Sequence, residues 1–179
     1  EADRTTVGGQ VVGTTPWIAG VQGFEVGRGR FFTEQESRTG ARVIVLGHRL
    51  ALDLFKGLKP AVGTKIEVQG LRLRVIGVLA PQGGLSDTDV TAFVPLRTFQ
   101  SGLKNSEEVS MIYLRGASDE ALAGLTAQVT RVLRQRHHLR ADQQDDFDVQ
   151  TMAELLKTIN VVTQGFTVLL AGIAASSGV

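Results

Sequence analysis

The spacing of hydrophobic positions changes along this chain, and each spacing predicts a different element. Val43-Ile44-Val45-Leu46 is an unbroken apolar run closed by Gly47, the pattern of a short strand covered on both faces. From Arg49 to Lys56, Leu50, Leu54 and Phe55 fall on one helical face, and Gly57 supplies a stop. Lys65-Ile66-Glu67-Val68-Gln69 alternates as a half-buried strand does. Beyond Gly70, Leu71, Leu73 and Val75 share one face while Arg72 and Arg74 take the other, which makes Gln69-Gly70 the tip of a β-hairpin. Ala92-Phe93-Val94 and Met111-Ile112-Tyr113-Leu114 read as further strands. Pro95 ends the first of these, because it has no amide to give a ladder. A β-like run also leads from Thr5-Thr6-Val7 to Val11-Val12.

Two helices carry clearer signals. Ser118 is an N-cap with Asp119 and Glu120 in the positive first turn, and Leu122, Leu125, Val129, Val132 and Leu133 form one apolar face of a helix ending near His137. Phe147-Asp148-Val149 then alternates like a short strand. Thr151-Met152-Ala153-Glu154 is a capping box, in which the threonine hydroxyl and the glutamate carboxylate satisfy orphan amides reciprocally. Behind it Leu155, Ile159, Val162, Phe166, Leu169 and Ile173 recur at spacings of 4, 3, 4, 3 and 4, a narrow seam suited to one partner helix. Thr158 to Val179 contains no charge, and Phe166–Ala175 is apolar apart from Thr167. That run is shorter than the roughly 20 residues a spanning helix needs. A buried core helix, a signal-like segment and the start of a membrane helix all fit it. The mixture of strands, hairpin and helices predicts an α+β fold, not a regular βαβ repeat.

Charge and composition remove several functions. Nineteen Lys+Arg against eighteen Asp+Glu give a net charge of +1, with no overall basic field to gather nucleic acid. The local block Arg131, Arg134, Arg136 and Arg140 is cancelled by Asp142, Asp145, Asp146 and Asp148. Without cysteine there is no disulfide, thiol nucleophile or thiolate zinc site. His137 and His138 lie about 100° apart on a helix and do not face one metal, so they read as a solvated helix end. Asp87 and Asp89 lack the other ligands of a calcium loop and read as turn formers. Gly27-Arg28-Gly29 reads as turn glycines, and neither a Walker A loop nor a G-x-S-x-G elbow is present. Trp17, after Pro16, reads as buried packing, with an exposed partner anchor as the alternative. No constellation supports catalysis, and no cofactor or metal is predicted.

Taken in order, Val12-Gly13-Thr14-Thr15-Pro16, Gly29-Arg30-Phe31-Phe32-Thr33 and Ala41-Arg42-Val43-Ile44-Val45-Leu46-Gly47 form a series. Val62-Gly63-Thr64-Lys65-Ile66, Arg74-Val75-Ile76-Gly77-Val78-Leu79-Ala80, Val94-Pro95-Leu96 and Ile112-Tyr113-Leu114-Arg115 continue it. Across residues 7–175 the chain resembles the periplasmic core domain of MacB-like ABC-transporter permeases. The order and spacing of the segments carry the likeness, and no single motif does.

The resemblance implies a two-lobed α+β domain outside the membrane. A mixed α/β lobe (Porter-like) would take residues 1–23 and 107–150. A smaller β-rich lobe (Sabre-like) would take residues 24–106, and a stem helix at 151–179 would run towards a membrane helix. In that family a further stretch precedes the position of Glu1, so an exposed sheet edge is expected. The implied role is non-catalytic: passing ATP-driven movement to cargo or a partner, with Leu155, Ile159, Val162 and Phe166 as the coupling seam. Implied partners are the rest of the permease, its ATPase domain or subunit, a second copy in a homodimer, and a periplasmic adaptor or lipoprotein. The alternatives are the related domain of a lipoprotein-releasing or cell-division-type permease, or a stand-alone ligand-binding module.

Overall fold

The computed structural model describes residues 8–56, 61–83, 87–116, 118–151, 153, 154 and 157. Among these residues six strands form one mixed sheet: β1 (Gln10–Thr14), β2 (Val26–Gly29), β3 (Val43–Leu46), β4 (Lys65–Val68), β5 (Leu71–Leu79) and β6 (Thr91–Pro95). The order is β1-β6-β3-β5-β2, with β4 also on β5. β1 runs parallel to β6 and β3 parallel to β5, whereas the other pairs are antiparallel. The helices are α1 (Ile18–Gln22), α2 (Glu34–Thr39), α3 (His48–Phe55), α4 (Leu96–Phe99) and α5 (Asp119–Arg136). The class is α+β, as the hydrophobic pattern predicts. Spatially the chain divides into two compact units: Glu1–Leu114, which contains the sheet, and Arg115–Val179, which contains α5. β1, which the resemblance assigns to the larger lobe, is an edge strand of this same sheet.

The unbroken apolar run of β3 is explained by a core on each side of it. Successive side chains point to opposite faces of a strand. Ile44 and Leu46 therefore join Leu73, Val75 and Val94 with Leu50 and Ala51 of α3, while Val43 and Val45 join Phe32, Ile76, Leu79 and Phe93. All four β3 residues are buried. The predicted hairpin is present, with Val68 opposite Leu71. Gln69 (φ 48°) and Gly70 (φ 84°) supply the two left-handed residues that a tight two-residue turn demands. At the end of α3 the left-handed position expected near Gly57 falls on Lys56.

β5 carries an irregularity that determines its faces. Ile44 is opposite Val75 but Val45 is opposite Gly77, so Ile76 is an extra residue in the ladder. Such an insertion reverses the inside–outside alternation beyond it. Val78 consequently joins the α3-side core and Leu79 the phenylalanine-side core. Gly77 lies where the backbone of Arg30 passes: a Cβ there would lie 2.3 Å from the Arg30 carbonyl oxygen.

Several expected elements differ. Met111–Leu114 forms no strand, because a strand-like apolar run becomes one only when a ladder neighbour is present, and it has none among the described residues. Phe147–Val149 is likewise irregular. Gly27-Arg28-Gly29, expected as a turn, lies in β2. α1 and α2 were not predicted. α2 nevertheless has a sequence signal, since Thr33-Glu34-Gln35-Glu36 is a capping box whose two reciprocal bonds both form.

Candidate functional site

A cluster of side-chain ties forms where α5 ends and the chain approaches Thr151. α5 closes on left-handed His138 (φ 56°). The amides of His138 and Leu139 donate to the carbonyls of Gln135 at 3.3 Å and Arg134 at 2.9 Å. These are the two bonds of a Schellman close, formed here with histidine where glycine is usual. Arg134 and His137, three residues apart, share a helix face. The Arg134 side chain is only 26% exposed, and its Nη1 pairs with Asp145. Its Nη2 donates to the carbonyls of Arg140 at 2.6 Å and Gln143 at 3.0 Å. His137 Nδ1 lies 2.8 Å from Asp146 Oδ1, and its ring meets Phe147 edge-on with centroids 5.7 Å apart. The Arg140 amide donates to Gln143 Oε1 at 2.7 Å, and Arg140 Nε lies 3.5 Å from Asp142. Of the arginine and aspartate blocks that cancel in the sequence, Arg134 and Arg140 are thus paired in space with Asp145 and Asp142.

The capping box forms as predicted. The Thr151 amide and hydroxyl donate to Glu154 Oε2 at 2.8 and 2.9 Å, and the Glu154 amide donates back to Thr151 Oγ1 at 3.2 Å. These donors hold the Glu154 carboxyl below its ordinary range, the Thr151 amide contributing most. Ala153, Glu154 and Lys157 are helical. The expected seam residues Leu155, Ile159, Val162 and Phe166 lie outside the described residues. No helix among the described residues is long and apolar enough to cross a membrane.

A second cluster, unmarked by the sequence reading, ties the start of α2. Arg30 donates through Nη1 and Nη2 to both Glu36 carboxylate oxygens at 2.7 Å, and the Thr33 amide donates to Glu36 Oε2 at 2.8 Å. The guanidinium, aided by Thr33, lowers the Glu36 pKa from 4.5 to about 2. The Thr-x-x-Glu spacing signals the cap, but only the fold brings in Arg30.

The other singled-out residues separate. Asp87 and Asp89 fall in a 3-10 turn, Asp87–Val90, where Asp89 accepts the Gln82 amide at 3.1 Å. No group of three or more His, Asp or Glu able to hold a metal occurs among the described residues. Trp17 is 67% exposed, which corrects the expectation of buried packing: it caps α1 with helical backbone angles, so its side chain diverges by about 100° from that of Ile18, the residue α1 buries. Val109, Met111, Ile112, Tyr113 and Leu114 are also open to solvent, at 49–64%. Two open surface hollows have mixed linings, one at Val132, Gln135, Arg136 and His138, the other at Thr39, Arg97, Ser101 and Glu107.

Residues 1–132 match the family described as MacB-like periplasmic core domain. The macrolide export ATP-binding/permease protein MacB of Chlorobaculum tepidum is 33% identical over 138 residues, covering 76% of this chain and 21% of that protein. Its counterpart in Bdellovibrio bacteriovorus is 32% identical over 173 residues, covering 94% and 26%. The chain thus spans about a quarter of these relatives. The periplasmic region of MacB from Actinobacillus actinomycetemcomitans shares the fold, with a TM-score of 0.64 at 20% identity over 84% of this chain and 64% of that one.

Proposed function

We propose, from the premise that this chain belongs to the family of MacB-like periplasmic core domains, that it passes ATP-driven movement to cargo or a partner protein outside the membrane. Membership gives the coarse frame, an extracytoplasmic, non-catalytic domain of a permease-type transporter. Within the proposal, residues 1–23 and 107–150 form the Porter-like lobe, 24–106 the Sabre-like lobe, and 151–179 the stem. The working unit is a homodimer joined to an ATPase on the same chain or another, with an adaptor or lipoprotein as its extracytoplasmic partner. The relatives named for macrolide export make a macrolide the first cargo to test.

The observation that carries this reading is the capped helix start at Thr151–Glu154, four residues beyond the tied Phe147. A capped helix next to a tied loop leaves little chain to act as a hinge, so displacement along its axis is passed on and not absorbed. Proline inside a helix removes a backbone bond and costs about 3 kcal/mol. In the full-length transporter, Ile159→Pro is expected to cut macrolide export at least about tenfold while ATP hydrolysis continues, because an interrupted stem uncouples the two. Export and hydrolysis both at wild-type levels would falsify the transmission role.

A further inference from the structure

We infer that Arg134 is the positioning residue of the junction between α5 and the stem, the group that makes displacement of the stem move α5 instead of bending the loop between them. The inference rests on the transmission reading above and adds the place where the load passes. An arginine near a helix C-terminus ordinarily offers its charge to the last carbonyls of its own helix. Arg134 instead reaches forward past its helix end, to the carbonyls of Arg140 and Gln143 and the carboxylate of Asp145. A planar guanidinium fixes such partners by direction as well as by charge, and its 26% exposure limits competition from water.

A second tie runs beside the first. His137, one turn on along the same face, meets Asp146 at 2.8 Å and sets its ring edge against Phe147. Adjacent residues Asp145 and Asp146 are thus held to adjacent positions on one helix face, and a segment held at two points does not swivel about either. Thr151 and its cap follow within a few residues. The Schellman close fixes the direction in which the chain leaves α5. Arg134 belongs to both devices, since its carbonyl accepts the Leu139 amide and its side chain grips the loop. Loss of the guanidinium leaves the loop held at one point only, about which it can swivel, while the helix itself stays closed.

The test is hydrogen exchange on the full-length transporter reconstituted in lipid, nucleotide-free and trapped with ATP and vanadate. In the wild type, trapping is expected to change exchange both in residues 153–157 and in α5. In Arg134→Gln the change at 153–157 persists and the change in α5 is lost, while amides of the 139–143 loop exchange about tenfold faster in both states. Arg134→Lys keeps the charge without the planar fork and is expected to be intermediate; it carries the test should the glutamine variant not fold. Faster exchange with an intact α5 response would mean that Arg134 serves stability alone, and it overturns the inference. Ile159→Pro separates the two readings. If it abolishes the α5 response and Arg134→Gln does not, only the Arg134 inference falls; if it leaves that response intact, the transmission reading falls.

Discussion

At the scale of single residues, two side chains show how local geometry sets stability. Glu36 accepts from Arg30 and from the Thr33 amide, which lowers its pKa from 4.5 to about 2. A carboxylate with a lowered folded pKa contributes its full stabilisation above the unfolded value and loses it as the pH falls through the folded one. Glu36→Gln is therefore expected to cost about 1 kcal/mol at neutral pH, modest because Arg30 is half exposed and screened. Urea unfolding of both proteins should show that difference shrinking between pH 4.5 and about 2; a constant difference would remove the ion pair from the account. His138 is the opposite case, holding φ 56° where a Cβ is unwelcome. His138→Gly should raise stability by about 1 kcal/mol through relief of that conformation, less glycine's greater freedom when unfolded. A lower melting temperature in the glycine variant would mean that the imidazole makes a compensating contact.

At the scale of elements, the insertion at Ile76 determines what β5 can bury. The extra residue allows Val75 and Val78 to face one core and Ile76 and Leu79 the other. Gly77 permits it, because the Arg30 carbonyl oxygen occupies the space a side chain would need. Gly77→Ala should cost at least about 2 kcal/mol, since the obstacle is backbone and not a flexible side-chain end. Denaturant midpoints with an unchanged slope would measure it, and a cost under half that figure would mean the backbone at Arg30 shifts aside freely. The sequence marked Gly77 only as a member of an ordered motif. Its spatial reason lies at Arg30, dozens of positions earlier, and no local pattern records such a crossing.

At the scale of the whole molecule, the exposed apolar run from Val109 to Leu114 is the feature that packing within the described residues leaves open. A run of exposed apolar side chains invites association between chains. The isolated 179-residue chain is expected to associate with rising concentration in sedimentation velocity experiments. Met111→Lys combined with Ile112→Glu should suppress this while changing stability by less than about 0.5 kcal/mol per site. Undiminished association would assign the contact elsewhere, with exposed Trp17 the next place to test. The same run marks the boundary between the two sources of information. The sequence by itself determined the α+β class, the double-sided burial of β3, the Gln69-Gly70 hairpin, the span of α5 and the Thr151–Glu154 cap. Each follows from torsional preference, periodicity or hydrogen bonding within a few residues. Tertiary structure alone decided that Met111–Leu114 is not a strand, that Trp17 points outward, that Arg30 reaches Glu36, and that Arg134 selects Asp145 eleven positions away. A ladder neighbour, a cover for an indole and a choice among four aspartates depend on what the folded chain brings near, and local pattern does not encode that.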